Sequence, residues 1–137
     1  MFENSLGKSA RALAVIALLC AYNEGVAGLG LLFFSADRRY QAELINSHTD
    51  GNAHFRITDV ASGWVIMETQ AQFGTPNNAK AGRFSPGSSQ FAAAYHYDTN
   101  GRRYTWIGVW EIASKALIRQ KELNGWTTDL SYVFRER

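Results

Sequence analysis

A repeat of about fifty residues constrains this chain more than any other feature. Phe34-Ser35-Ala36-Asp37 recurs as Phe84-Ser85-Pro86-Gly87, and Asp50-Gly51 recurs as Asn100-Gly101, both fifty positions on. Ile57-Thr58-Asp59-Val60-Ala61-Ser62-Gly63 recurs as Val109-Trp110-Glu111-Ile112-Ala113-Ser114-Lys115 at a shift of fifty-two. The extra residues fall between Gly101 and Ile107, beside a turn, where insertions are tolerated. A third unit is expected to open at Tyr132-Val133-Phe134. Self-similarity at this period is the mark of stacked supersecondary units. The competing reading is two ordinary hairpins that share turn chemistry.

Within each unit the pattern is that of antiparallel strands. Pro86 presets φ for a turn and Gly87 accepts φ > 0. A strand is expected over Gln90 to Tyr97, followed by Asn100-Gly101, a strong hairpin signal. Further strands are expected over Tyr104 to Ile112, Ala116 to Lys121 and Thr128 to Phe134. The earlier unit gives Tyr40 to Ile45, a turn at Asp50-Gly51, Phe55 to Val60, a turn at Ala61-Ser62-Gly63, and Trp64 to Thr69. Tyr40-Gln41-Ala42-Glu43-Leu44 alternates as a half-buried strand does. Phe91-Ala92-Ala93-Ala94 is apolar on both faces, which suits a strand packed between two neighbouring sheets; four residues between turns are too few for a helix.

Composition agrees. Of 137 residues, 46% are hydrophobic and 19% charged, so the chain is globular, and an aromatic share of 13% favours strands. The net charge of +2 comes from interspersed acids and bases, with no basic stripe for nucleic acid. The pairs Arg38-Arg39 and Arg102-Arg103 are expected on turns or edges. Cys20 stands alone, which excludes an intrachain disulfide and offers no thiolate metal site.

These landmarks resemble the Trp-Asp-repeat and related β-propeller family. Phe84-Ser85-Pro86-Gly87 and Phe34-Ser35-Ala36-Asp37 resemble its Phe-Ser-Pro-Asp-Gly element. Asp50-Gly51 and Asn100-Gly101 resemble its Asp-Gly turn. Trp110-Glu111-Ile112 and Thr58-Asp59-Val60 resemble its Trp-Asp strand end, and Ala61-Ser62-Gly63 and Ala113-Ser114-Lys115 its Thr-Gly-Lys-like turn. The resemblance covers residues 33 to 134. It implies an all-β fold, a partial β-propeller of four-stranded antiparallel blades. The repeats would run 34–83 and 84–133, with a further unit starting at 134, after an apolar N-terminal segment at 1–33. The family's Gly-His pair is absent; Asn124-Gly125-Trp126 stands near its place. Closed rings need four or more blades, so about two blades imply a fragment, a degenerate protein or a ring closed by several copies.

The N-terminal segment has two readings. Ala12 to Tyr22 is uniformly apolar, preceded by Lys8 and Arg11 and followed by Gly25-Val26-Ala27-Gly28, the layout of a signal peptide over residues 1–28. That would send the protein to a secreted or periplasmic location; otherwise it is cytoplasmic. The run is too short for an ordinary transmembrane span. Alternatively, Arg11 to Phe33 has the length of the missing strands of a preceding blade.

Catalytic chemistry is sparse. His48 and His96 each precede an Asp by two positions, placing both on one strand face, but no third ligand offers itself for a metal. There is no nucleophile elbow and no phosphate loop. The expectation is a non-enzymatic protein-interaction module without cofactor or metal. The binding candidates are Trp106, Trp126, Arg102 and Arg103, because exposed tryptophan and arginine anchor partners. Trp64 and Trp110 complete the tryptophans, Trp110 as a core residue. The partner is expected to be a protein or a second copy of the chain. A carbohydrate bound by a lectin-like ring of short chains is the alternative, and a truncated propeller fragment a third reading.

Overall fold

The structure, a computed structural model, describes residues 31–46, 52–71 and 77–135. The N-terminal segment, His48 and the Asp50-Gly51 turn lie outside them. The described residues are all-β, with eight strands and no helix: β1 (Leu32–Phe34), β2 (Tyr40–Ile45), β3 (Asn52–Asp59), β4 (Val65–Glu68), β5 (Asn77–Phe84), β6 (Gln90–Thr99), β7 (Arg102–Glu111) and β8 (Ala116–Asn124).

The strands form two four-stranded antiparallel meanders, β1-β2-β3-β4 and β5-β6-β7-β8. A short parallel bridge, Asn52 opposite Asn77 and Ala53 opposite Asn78, links them. The sequence repeat is repeated in hydrogen bonds. Ser35 N–H donates to Tyr40 O and Ser85 N–H to Gln90 O, each at 2.9 Å. Gly63 N–H donates to Asp59 O and Lys115 N–H to Glu111 O, each at 2.7 Å. The left-handed residue after each Phe-Ser turn is Arg38 or Ser88, both at φ 64°, so Gly87 is not the positive-φ residue of its turn. Asn100 at φ 54° and Gly101 at φ 77° give β6 and β7 a two-residue type I′ hairpin.

The two sheets pack in a head-to-tail sense. The first sheet contributes Tyr40, Ala42, Phe55, Ile57 and Met67 to the core; call this its trailing face. The second contributes Phe84, Phe91, Ala93, Tyr95, Trp106 and Trp110, its leading face. Shifted by fifty or fifty-two positions, Ala42, Phe55 and Ile57 become Ala92, Ile107 and Val109, which lie on the other side of the second sheet. Opposite faces of the repeat are therefore in contact. The seam is aromatic: Phe33 meets Phe55 and Phe84 edge-on, Phe55 meets Phe91 at 5.2 Å, and Tyr40 stacks on Phe84. Buried Thr69 and Tyr95 share a hydroxyl hydrogen bond across it, and burial pushes the Tyr95 phenol pKa up, keeping it neutral.

One expected strand is absent. Thr128 to Leu130 is irregular and Ser131 to Phe134 forms turns, with Val133 N–H on Leu130 O and Arg135 N–H on Tyr132 O. With β8 turned away by Gly125 at φ 84°, the segment crosses the trailing face of the second sheet and has no ladder to join. Phe134 lies beside the Arg119 guanidinium, whereas Phe84 stacks with Tyr40.

Two glycines make room for the aromatic seam. A Cβ at Gly82 would stand 2.6 Å from Phe91 and 2.8 Å from Phe55; one at Gly108 would stand 2.6 Å from Trp106 and 2.8 Å from Trp110. Gly82→Val and Gly108→Val are therefore expected to lose about 1–3 kcal/mol by overpacking. Gly87→Ala, with nothing within 4 Å, should stay within about 0.5 kcal/mol of the parent. Urea unfolding midpoints check this; equal midpoints for all three variants would mean the sheets do not meet on these faces.

Candidate binding surface

The trailing face of the second sheet is built from small and branched apolar residues. Ala92 and Ala94 on β6 and Ile107 and Val109 on β7 are buried. Leu130, Val133, Ala81 and Leu123 close over Ala94 and Ile107. Beyond them an open cleft of about 1140 Å³ remains between the Ser85–Gln90 turn, the floor of Ile107 and Val109, and the Tyr132–Arg135 segment. Arg119 spans it, donating to Val133 O at 3.4 Å with its guanidinium 5.9 Å from the Phe134 ring.

The C-terminal segment is fastened at the hairpin end of this face. Thr105 Oγ1 donates to Gly125 O at 2.8 Å and accepts from Thr127 N–H at 3.0 Å. His96 donates from Nε2 to Thr127 O at 2.9 Å, which fixes its tautomer, because a carbonyl can only accept. The Trp126 indole N–H donates to Tyr97 O at 3.1 Å, the ring stacks on His96 at 5.1 Å, and Arg103 lies 4.4 Å over it. This clasp occupies the place that the Asn52–Asn77 bridge takes in the first unit.

Of the candidate residues, the fold brings Arg103 and Trp126 together. Arg102 is exposed at the start of β7, opposite Thr99, and outside the clasp. Trp106 is corrected: at 1% exposure it is a core residue, edge-on to Tyr95 and Trp110, with its indole N–H on Gln120 Oε1. Its strand alternates with the repeat, and Trp106 shares the leading face with Trp110. Trp126 is 45% exposed, but one ring face is already on His96. The freely displayed tryptophan is Trp64, at 75%, beside Val65 at 51%. Its signal was a mismatch between repeats: Trp64 corresponds to Ala116, so the fold does not require an aromatic there.

The leading face of the first sheet carries an ion-paired group. Glu68 lies 2.7 Å from His54 Nε2 and 3.1 Å from Arg56 Nε. Hydrogen bonds and charge from Arg56 and His54 hold the Glu68 carboxyl below its usual range against the opposing cost of desolvation. Among the described residues, no three of His, Cys, Asp and Glu converge as metal ligands, and no helix is long and apolar enough to cross a membrane.

No protein-family model matches the chain, and no curated protein matches it. Among solved structures, it is similar to a chain of Kuenenia stuttgartiensis hydrazine synthase, with a TM-score of 0.50 and 14% identity. The similarity covers 69% of this chain and spans 28% of that one. At that identity it bears on the strand arrangement alone.

Desolvation lowers the His96 pKa from its ordinary 6.5, Lys80 adds to the shift, and the Thr127 carbonyl opposes it. The neutral ring is thus favoured in the folded state. Its stabilisation is complete above pH 6.5 and is lost as pH falls through 6.5 toward the lowered native value. The expected outcome is a urea midpoint, followed by tryptophan fluorescence, that drops between about pH 7.5 and 5.5 and drops less in His96→Gln. An identical pH slope in both proteins would refute the role of this ring.

Proposed function

We propose that this chain is a β-propeller-type interaction module, non-enzymatic, in which each four-stranded sheet is a blade and the trailing face of the second sheet is the partner surface. The observation that carries this is the head-to-tail contact of opposite repeat faces. The trailing face of the first sheet is filled by the second sheet; its counterpart, Ala92, Ala94, Ile107 and Val109, is buried under the Leu130–Phe134 segment and the rim side chains, at the bottom of an open cleft. The cleft above it still exposes apolar area of Tyr132, Val133 and Phe134, and apolar area gains about 25 cal/mol per Å² when buried. Nothing in the clasp or the His54–Glu68–Arg56 group pairs a nucleophile with a base. Trp106 is buried, which leaves Trp126, 45% exposed, as the aromatic on which the alternative sugar-binding reading rests.

Light scattering at micromolar concentration tests the proposal. The expected result is a mass that rises with concentration above the 15.3 kDa of one chain, through contacts on this face. A concentration-independent monomer that withstands heating would overturn it in favour of a self-sufficient two-sheet sandwich.

A further inference from the structure

Equivalent positions of the two trailing faces differ in a systematic way. Where the first sheet has Tyr40, Met67 and Thr69, the second has Gln90, Arg119 and Lys121. The floor keeps its apolar character, with Phe55 and Ile57 becoming Ile107 and Val109. The rim becomes cationic: Arg119, Lys121 and Arg135 line the cleft, and no Asp or Glu does. The first face meets an aromatic, uncharged sheet; the second has apolar depth and positive edges.

From this we infer that the cleft accepts an extended protein strand that sets aromatic or branched apolar side chains against Tyr132, Val133 and Phe134, above the buried Ile107 and Val109, and carboxylates against Arg119, Lys121 and Arg135. The inference rests on the interaction-module reading and adds the chemistry of the partner. Two observations support a strand rather than a small anion. The cleft floor continues the face that, one repeat earlier, is covered by the strands bearing Phe84 and Phe91. The Ser85–Gln90 turn that walls it is the counterpart of the Ser35–Tyr40 turn, whose Asp37 N–H contacts Ser88 Oγ of the following sheet at 3.3 Å. A neighbouring sheet is what this wall meets in the first unit. Cations at the rim select among such strands, because leaving them opposite like charge costs affinity and opposite charge speeds association.

The test uses the whole chain, isotopically labelled, and two synthetic disulfide-closed β-hairpins. Both carry phenylalanine and valine on one strand; they differ only in having glutamate or lysine at the intervening rim positions. At low ionic strength the glutamate hairpin should shift the amide resonances of residues 85–90, 107–109, 119–121 and 132–135, binding at least about tenfold more tightly than the lysine hairpin. Arg119→Glu combined with Lys121→Glu, both exposed, should erase or invert that preference. Equal binding of the two hairpins at these residues would overturn the charge inference while leaving the apolar partner surface standing. Absence of any shift at 85–90 and 132–135 with either hairpin would overturn the surface itself, a result independent of the mass measurement.

Discussion

The contact on which this structure depends is the aromatic seam between opposite faces of two copies of one repeat. Phe33, Phe55, Phe84 and Phe91 meet mostly edge-on across it, at centroid distances of 5.0 to 6.2 Å. Such pairs add about 0.5–1.5 kcal/mol each beyond the area they bury. Neither four-stranded meander has a core of its own, because a single sheet can bury a face only against something else. The parallel bridge between the sheets is two residue pairs long, so side-chain packing, not backbone pairing, holds them together. Gly82 and Gly108 are part of that packing, since rings of Phe91, Phe55, Trp106 and Trp110 lie where their Cβ atoms would be.

What the sequence made legible was local and repeated. Tyr40–Ile45, the Asn100-Gly101 hairpin and the strand from Gln90 could be placed because alternation and turn chemistry act over a few residues. The shift of fifty then tied the units together without any knowledge of their contacts. Burial on a given face was harder. Trp106 and Trp110 share the leading face, yet Trp106 stands next to a hairpin where exposure is the ordinary expectation; only the pairing Tyr95 opposite Trp106 shows that it faces the seam. The strand expected at Thr128 to Phe134 failed for another reason. A strand exists only where a neighbour offers its backbone, and apolar alternation cannot reveal whether that neighbour is there.

Trp126 illustrates how one side chain can serve fold and surface together. Its indole N–H and its stacking on His96 fasten the crossing segment, while Arg103 lies over its ring and the rest stays exposed. The clasp therefore anchors the start of the segment whose Tyr132 and Phe134 border the cleft. A neutral His96 suits this position, because Lys80 and Arg103 already bring positive charge to it. Arg102, one residue away on the other face of β7, contributes nothing to the clasp, since successive side chains on a strand point to opposite sides.

Head-to-tail stacking leaves two unlike ends, and here they differ more than geometry demands. In an array of identical units every leading face would match every trailing face. The leading face of the first sheet instead carries Gln41, Glu43, His54, Arg56 and Glu68, the last three tied into one ion-paired group. Its counterpart in the second sheet carries Phe91, Ala93, Trp106, Gly108 and Gln120. The first sheet is thus aromatic-accepting on one side and polar on the other, while the second is aromatic on its leading side and apolar with a cationic rim on its trailing side. Divergence of repeat positions outside the shared seam, with the turns and the seam itself retained, is what separates the residues that hold the two sheets together from those that do not.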